Sequence, residues 1–231
     1  MISTLEDISA PATRLKLYSE AVVPLEHGFF LIQVYHELKT AEECIAVSCF
    51  DGVESYQADA SRPRSLPFRS GSAPFVRVHS ECFTGEALGS LKCDCKYQLD
   101  AALAKIHALG QGVVVYLRQE GRGIGLADKI KAYSLQSQGY DTLEANSMLG
   151  YPDDMRSFAL AADILYHHLG LRRLQLNTNN PEKIKELKHY GLVIEEVVPS
   201  LGPVLPENKS YLATKFEKLG HHLESLFPHK R

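Results

Sequence analysis

The chain has 231 residues, of which 45% are hydrophobic, 23% charged and 9% aromatic, and its formal charge at pH 7 is −3. This composition is that of a globular protein, and it excludes a disordered, collagen-like or coiled-coil chain. The slight acidic excess disfavours nucleic acid and anionic membranes as partners, because binding to many phosphates requires a basic surplus. No apolar run approaches the ~18 residues of a membrane span, and the N-terminus has no signal-peptide pattern, so we expect a cytoplasmic protein.

Hydrophobic periodicity predicts one folded domain over residues 21–231, preceded by a polar, flexible leader over residues 1–20. Two strands come first, and a long irregular loop rich in Ser, Pro, Arg and Gly follows over residues 51–74. Beyond this loop strands and helices alternate, which predicts an α/β fold: a mixed sheet with an N-terminal antiparallel portion and flanking helices. The strands are predicted at 29–36, 44–50, 75–79, 112–119, 173–178 and 192–198, and the helices at 98–109, 127–139, 155–170, 181–191 and 208–226.

Three cysteines, Cys82, Cys93 and Cys95, follow the third predicted strand in the pattern C-x10-C-x-C. Three thiolates are the right number for a tetrahedral Zn2+ that keeps one position open. A closed structural site would need a fourth ligand, which Cys44 or Cys49 could supply, although both fit an apolar core strand. The alternative is a set of buried free thiols without metal, which a reducing compartment also permits.

A glycine-rich segment, QEGRGIG, lies at residues 119–125 between a predicted strand and a predicted helix. Its alternating glycines allow the backbone to approach a ligand closely, and Arg122 adds a positive charge. The segment matches neither of the common glycine motifs that bind phosphate. An anion site and a plain tight turn therefore both stay open.

The segment NTNNPEKIKEL, at residues 177–187, contains a clear helix start. Asn180 suits the N-cap position and Pro181 the first helical position. Lys183 falls in the first turn, where its charge opposes the helix dipole. A bound phosphate would offset that repulsion, and an exposed lysine on a solvated face is the alternative.

Four stretches containing these motifs resemble, in order, the signature stretches of GTP cyclohydrolase II: residues 76–103, 116–146, 149–158 and 177–184. That enzyme opens the imidazole ring of GTP in riboflavin synthesis. The resemblance covers most of residues 21–226. It implies the fold of that family, GTP as the substrate, one catalytic Zn2+ per chain, Mg2+ on the triphosphate, and a homodimer.

The resemblance also implies roles for individual residues. The three cysteines would hold the catalytic zinc. Tyr133 would lie near the base, and Asp154 and Arg156 would be the proton acceptor and the nucleophile. The GTP pocket would be lined by Arg77, Val78, His79, Ser80, Glu81, Gln98, Glu120, Gly121, Arg122, Thr142, Thr178 and Lys183.

General chemistry refines two of these roles. Three thiolates make zinc a weaker acidifier of water than three histidines do, so a nearby acid or base is needed, and Glu81 is our candidate. Arginine keeps its proton, with a pKa above about 12, and is a poor nucleophile. A cation that stabilises the phosphoryl transition state is therefore an equally good role for Arg156, with Asp154 orienting it.

Two other functions stay open on the sequence: a paralogue that makes the same pyrimidine for a secondary metabolite, and a non-catalytic zinc-bearing nucleotide sensor. The presence of Tyr133, Asp154 and Arg156 favours an enzyme, because binding GTP alone would not require them. The segment at residues 202–215 departs from the family pattern. We expect it to lie away from the cysteines, so that its change affects partner or dimer contacts.

Overall fold

The computed structural model describes residues 13–57, 66–69 and 71–227. In this part of the chain the strands are Leu15–Leu25 (β1), Gly28–Glu37 (β2), Glu43–Cys49 (β3), Phe75–Ser80 (β4), Gly112–Leu117 (β5), Arg173–Asn177 (β6) and Val193–Val198 (β7). The helices are Phe83–Glu86 (α1), Cys95–Leu109 (α2), Gly125–Gln136 (α3), Thr142–Met148 (α4), Ala159–Asp163 (α5), Pro181–His189 (α6) and Lys209–Leu219 (α7).

The strands of the described residues all belong to one mixed sheet, in the spatial order β1-β2-β3-β5-β4-β6-β7. The strands β1, β2, β3 and β5 pair antiparallel, whereas β5, β4, β6 and β7 run parallel to one another. The predicted α/β class, with an antiparallel N-terminal portion and flanking helices, is therefore confirmed.

In the centre of the sheet, β5 is apolar on both faces, as a strand covered by helices requires. Strand β4 is apolar on one face and carries Arg77 and His79 on the other. In β4 and β5, the side chains of Val76, Val78 and residues 113–115 have no exposed surface. Each such valine stabilises the fold by about 1.5–3 kcal/mol relative to an exposed one. Valine also favours the extended backbone because its branched side chain restricts χ1, so packing and local preference agree here.

The parallel strands end at one edge of the sheet, and the segments that leave them carry the predicted motifs. Strand β4 continues toward Cys82, β5 into the glycine-rich segment 119–125, and β6 into residues 178–180 before α6. Ligands commonly bind in the crevice outside this edge of open α/β sheets. The fold thus gathers three motifs that are distant in the sequence.

The N-terminal boundary differs from the prediction. Strand β1 begins at Leu15 and pairs with β2, so the leader predicted over residues 1–20 is too long. Most side chains of β1 are exposed or half-buried, which weakens the hydrophobic alternation that would have marked the strand. Residues 1–12 of the predicted leader lie outside the described residues. The assignment of residues 21–231 to one domain stays a prediction.

Several helices also differ from the prediction. Helix α1 was not predicted, α2 begins at Cys95 instead of residue 98, and α3 spans Gly125–Gln136 instead of 127–139. The helix expected over residues 155–170 begins at Ala159, because residues 154–158 form an irregular segment in which Met155 N donates to Arg122 O. A π-helical turn over Ile164–His168 follows α5. The last helix ends at Leu219, followed by Gly220 in the left-handed conformation. Helix α4 was not predicted, although a capping box at Asp141 marks its start. Among the described helices, even the longest is too short and too polar to cross a membrane.

Candidate active site

The three cysteines converge at the end of β4. Cys82 follows the strand, a loop returns with Cys93, and Cys95 lies in the first turn of α2. Their sulfur atoms lie within 4.8 Å of one another, and Cys82 Sγ and Cys93 Sγ are 3.6 Å apart. A tetrahedral zinc with bonds of about 2.3 Å places its sulfur ligands about 3.8 Å apart. The geometry therefore fits a tetrahedral metal site with three sulfur ligands.

The surroundings of the thiols favour a cation. Lys129 Nζ donates a hydrogen bond to Cys82 Sγ over 3.2 Å. Hydrogen bonds from the Cys93 and Cys95 thiols, and then Lys129, lower the pKa of Cys82, whereas donating to Cys82 raises the pKa of Cys93 to about 11. The thiols thus share a thiolate and protons that a metal would displace. A Cβ atom on Gly85 would lie 2.9 Å from Cys93 Sγ, so only glycine leaves room for the cluster.

No fourth protein ligand joins the cluster among the residues that the structure describes. Cys44 and Cys49 are buried in β3 as core residues, and burial raises the pKa of Cys44 to about 12. A tetrahedral metal held by the three thiols alone would keep one position for solvent or substrate, as in catalytic zinc sites.

A cavity opens from the thiols, and we call it the cysteine cavity. Its wall combines the glycine turn with one face of α3. It is lined by Ser80, Glu81, Cys82, Cys93, Cys95, Gln119, Glu120, Gly121, Arg122, Ile124, Lys129, Ala132, Tyr133, Gln136, Thr142, Asn146, Arg156 and Tyr211. Most of these residues are polar, but the surface that they expose to the cavity is mainly apolar, which suits a flat heterocycle.

Glu120 holds the glycine turn against the cysteine loop. Its carboxylate accepts hydrogen bonds from Phe83 N at 2.6 Å, Gly121 N at 2.7 Å and Lys129 Nζ at 2.7 Å. In the same turn, Arg122 has a φ of +64°, which is a strained conformation for a residue other than glycine. Both Nη atoms of Arg122 are buried without a hydrogen-bond partner among the described residues. Buried donors of this kind suit an anion, which favours the anion site over a plain turn, and the anion site stays a prediction.

Tyr133 and Glu81 both face the cysteine cavity. Burial raises the pKa of Tyr133 to about 12, so the phenol keeps its proton at neutral pH. The Lys92 and Lys129 ammonium groups lie 5.0 and 5.7 Å from the centre of its ring. Glu81 accepts a hydrogen bond from Arg118 Nε over 3.2 Å. The two side chains can therefore serve as a proton donor and a fixed carboxylate.

A second cavity adjoins the first, and we call it the cationic cavity. Ser80, Cys95, Arg122, Arg156 and Tyr211 border both cavities. The remaining lining residues of the cationic cavity are Arg77, His79, Asp94, Gln98, Thr178, Asn179, Asn180, Lys183, Ser200, Lys215, His221 and Leu223.

Two buried cations form the floor of the cationic cavity. Arg77 is 4% exposed and donates to Gln98 Oε1 over 2.6 Å and to Ser200 Oγ over 2.7 Å; burial lowers its pKa to about 10. Lys183 is 7% exposed, and its Nζ donates to Val78 O over 2.7 Å. Burial, and then the charges of Arg156 and Arg77, lower the pKa of Lys183. The alternative of an exposed lysine on a solvated face is therefore wrong.

Arg156 lies between the two cavities, paired with Asp154. Arg156 Nε donates to Asp154 Oδ1 over 2.9 Å and Nη2 donates to Oδ2 over 2.5 Å. Burial raises the pKa of Asp154, but the hydrogen bonds and charge of Arg156 outweigh it, so the net pKa is lowered. Burial lowers the pKa of Arg156, and Asp154 reverses this shift to a net rise. The pair is therefore a stable ion pair, with a weak base and a fully protonated guanidinium.

The structure brings nearly all the predicted pocket residues to this crevice. Thr142 borders the cysteine cavity, and Thr178 and Gln98 border the cationic one. His79, 2% exposed, accepts a hydrogen bond from Arg77, and burial lowers its pKa to about 4. Val78 differs, because its side chain lies in the core and only its carbonyl oxygen faces the site.

Sequence reasoning missed several lining residues, and one expectation was wrong. The segment at residues 202–215 does not lie away from the cysteines. Lys215 Nζ donates to Asp94 Oδ1 over 3.1 Å, and Asp94 stands between two of the three cysteines. A Cβ atom on Gly202 would lie 2.9 Å from Asp94 Cβ. Asp94 could have been identified as a site residue from its position between Cys93 and Cys95 in the sequence. No local pattern indicated Lys215.

Comparison with known proteins gives consistent results. The family model described as GTP cyclohydrolase II matches residues 16–199. A GTP cyclohydrolase-2 from Hahella chejuensis is 45% identical over 86% of the chain and 88% of its own length. Riboflavin biosynthesis protein RibBA from Bacillus cereus is 55% identical over 94% of the chain and 52% of its own length. RibBA from Synechocystis sp. is 50% identical over 87% of the chain and 33% of its own length. The chain thus spans about half and about a third of these two RibBA proteins.

Proposed function

The chain belongs to the GTP cyclohydrolase II family, and from this premise we propose that it hydrolyses GTP. The reaction opens the imidazole ring, releases formate and pyrophosphate, and yields 2,5-diamino-6-(5-phosphoribosylamino)pyrimidin-4(3H)-one. We assign this reaction to the first step of riboflavin biosynthesis, the process named in two of the relatives.

One observation carries the proposal: a cluster of three thiols opens into the same crevice as a strongly cationic cavity. Arg122, Arg156 and Tyr211 border both spaces. A purine nucleoside triphosphate needs a site for its base and a site for its phosphates within one molecule's length. Apolar surface on one side and buried cations on the other meet this need.

We propose Zn2+ as the metal held by Cys82, Cys93 and Cys95, because three soft thiolates in tetrahedral geometry prefer it. When bound, zinc supplies Lewis acidity that activates water for attack on C8 of guanine. Lys129 places a positive charge beside the Cys82 sulfur at 3.2 Å and keeps it a thiolate. Gly85 keeps the space beside the sulfur atoms empty of side chain.

On the base side, we assign proton transfer to the residues of the cysteine cavity. Tyr133 keeps its phenolic proton, so it can donate it to the nitrogen that leaves as the ring opens. Glu81, oriented by Arg118, is the candidate carboxylate for the water that attacks. Glu120 holds the glycine turn in register with α1 and so keeps Arg122 in place.

On the phosphate side, we assign the triphosphate, with its Mg2+, to the cationic cavity. The unpartnered Nη atoms of Arg122 would donate to phosphate oxygens. Arg156 would stabilise the charge that develops as pyrophosphate leaves, and Asp154 would hold its guanidinium in position. Lys183 adds a buried charge at the base of this site.

Assembly and location complete the proposal. We propose a homodimer that works in the cytoplasm, with GTP as its small-molecule substrate and neither nucleic acid nor membrane as a partner. The resemblance to the family supports the dimer, and the net charge of −3 supports the absence of nucleic acid. Sedimentation of the zinc-loaded protein would measure the mass of the assembly.

The test is to incubate the zinc-loaded protein with GTP and Mg2+, and to measure formate, pyrophosphate and the diaminopyrimidine by mass spectrometry. We expect all three products from GTP and none from ATP, and chelation of the zinc should stop formate release. GTP that binds tightly without yielding formate would overturn the proposal in favour of a nucleotide sensor.

A second measurement separates riboflavin synthesis from a secondary-metabolite pathway. The protein should restore growth without added riboflavin to a bacterial strain that lacks this activity. A protein that forms the diaminopyrimidine in vitro but fails this test at full expression would point to the paralogue.

A further inference from the structure

The C-terminal segment closes one side of the cationic cavity. The matched family model ends at residue 199, so the match itself assigns nothing to α7. Asn208, fully buried before the helix, accepts from Leu205 N and donates to Pro203 O, which fixes where α7 begins. After the helix, His222 N donates to Asn179 O over 2.9 Å. The helix is therefore held at both ends against the site.

Lys215 is the cation that α7 directs into this cavity. Its side chain is 12% exposed, and its Nζ donates to Asp94 Oδ1 over 3.1 Å. An ammonium group has three N–H donors. Among the described residues, Asp94 is the hydrogen-bond acceptor of Lys215, so two of its donors stay available within the cavity.

Tyr211, one turn earlier on α7, lies close to two of the basic side chains of the cavity. Lys215 Nζ lies 4.3 Å from the centre of the Tyr211 ring, and Arg122 Cζ lies 5.8 Å from it. A cation near an aromatic face is stabilised by the ring quadrupole. Tyr211 borders both cavities, whereas Lys215 borders the cationic cavity alone. Of these two side chains of α7, only Tyr211 therefore borders the space beside Cys82 and Cys93.

The cationic cavity contains more positive than negative charge. Its basic lining side chains are Arg77, Arg122, Arg156, Lys183 and Lys215, and among its lining residues only Asp94 has a carboxylate. Asp154 pairs with Arg156 from outside the lining, so the excess of cations remains. Burial, and then Lys215 and Arg156, lower the pKa of His221 to about 2, which leaves this imidazole neutral. An excess of buried basic groups over carboxylates favours the binding of an anionic ligand.

From this arrangement we propose that Lys215 is a phosphate-binding residue that recognises the distal phosphates of the nucleotide. The inference rests on the proposed function for the identity of the substrate. The shared residues Arg122 and Arg156 lie beside the cysteine cavity and so next to the phosphate nearest the ribose. Lys215, absent from the cysteine cavity, meets the terminal phosphates. It therefore distinguishes a triphosphate from a monophosphate.

The test is calorimetric binding of inorganic tripolyphosphate and of GMP to the zinc-loaded protein. In Lys215→Met, we expect tripolyphosphate to bind about 10- to 100-fold more weakly, as for loss of a charged hydrogen bond. Binding of GMP should change less than about threefold, because GMP lacks the distal phosphates. Lys215→Arg should recover most of the lost affinity. Lys209→Met is the matched control, since Lys209 is exposed on the same helix, and it should leave both affinities unchanged.

Measuring the zinc content distinguishes phosphate recognition by Lys215 from a structural role in which Lys215 supports the cysteine cluster through Asp94. Lys215→Met should retain the zinc content of the unsubstituted protein. Equal binding of tripolyphosphate by Lys215→Met and the unsubstituted protein would overturn the inference. So would a parallel loss of tripolyphosphate binding, GMP binding and zinc, or an unsubstituted protein that binds no tripolyphosphate. Formate release from GTP by the same preparation reports on the proposed function independently of these binding results.

Discussion

The cysteine cavity and the cationic cavity share a wall but are built in opposite ways. The thiols of the first come from one short stretch between β4 and α2, tied to a single glycine turn. The basic side chains of the cationic cavity come from five segments: β4, the glycine turn, the irregular segment before α5, α6 and α7. A cluster whose residues lie close together in the sequence can be inferred from their spacing. A cavity whose residues come from many segments can be recognised only in the folded structure.

The two cavities also differ in the sign of the ligand charge that they favour. In the cysteine cavity the lowered pKa of Cys82 favours a thiolate that attracts a cation, while in the cationic cavity buried Arg and Lys side chains favour an anion. Arg122 and Arg156 stand at the boundary. Substitutions away from this boundary should therefore affect metal and base chemistry, or phosphate binding, but not both.

The largest effect is expected for Cys93→Ser in the cysteine cavity. Removing one of three sulfur ligands should abolish zinc binding and lower formate release more than about 1000-fold. Binding of tripolyphosphate in the cationic cavity should change less than about threefold, if the cavities act separately. Elemental analysis, a formate assay and calorimetry measure the three quantities. Cys49→Ser, the same change in β3, is the control and should keep zinc and activity. A zinc-free Cys93→Ser protein that still opens the ring would contradict the metal assignment.

Arg156 at the boundary should affect turnover next most strongly. In Arg156→Lys the charge remains, but the two-pronged contact to Asp154 is lost, and with it the planar group proposed to contact phosphate. We expect turnover to fall by about 30- to 1000-fold, or ~2–4 kcal/mol in activation free energy. Quenched single-turnover reactions with GTP labelled at the α-phosphorus test the electrostatic role. Label that stays covalently on the unsubstituted protein, and not on Arg156→Ala, would show that Arg156 is a nucleophile instead.

Tyr133→Phe should separate the two chemical steps within the cysteine cavity. The buried phenol holds its proton and lies away from the phosphate site, so its loss removes a proton donor at the base. We expect formate release to slow by about 100-fold, with a smaller effect on pyrophosphate release. A formylated intermediate should then accumulate in mass spectra. Equal slowing of both steps would place Tyr133 in substrate binding rather than proton transfer.

The smallest effect concerns the pH dependence of stability at the boundary. Because the pKa of Asp154 is lowered in the folded protein, its contribution is present above the ordinary value near pH 4 and is lost as pH falls through the folded pKa. Solvent reaches this carboxylate, so we expect only about 0.5 kcal/mol. Asp154→Asn should therefore lower the free energy of unfolding at pH 7 and have no such effect near pH 3. Urea denaturation at both pH values measures it, with the exposed Asp153→Asn as the control; an equal loss at both pH values would disprove the linkage.

Local patterns were sufficient for much of the fold. Alternating or continuous runs of Val, Ile and Leu predicted six of the strands within one or two residues of their observed ends. The Asn180–Pro181 start of α6 was likewise marked in the sequence, and Asn180 Oδ1 accepts from Glu182 N as a cap should. Strand β1 was not predicted, because it is an edge strand whose mostly exposed side chains give little hydrophobic alternation.

For the site, local patterns in the sequence identified the three cysteines, the glycine turn and the capped helix as candidates. The catalytic candidates Tyr133, Asp154 and Arg156 came from the resemblance to GTP cyclohydrolase II. Only the tertiary structure decided their environment. The structure shows that Lys183 is buried, where the sequence also allowed an exposed position. The packing of α7 places Lys215 beside Asp94. The physical reason is that burial and charge are properties of a place in three dimensions. A lysine has the same letter on a solvated face and in a closed cavity, and only the folded chain shows which groups surround it.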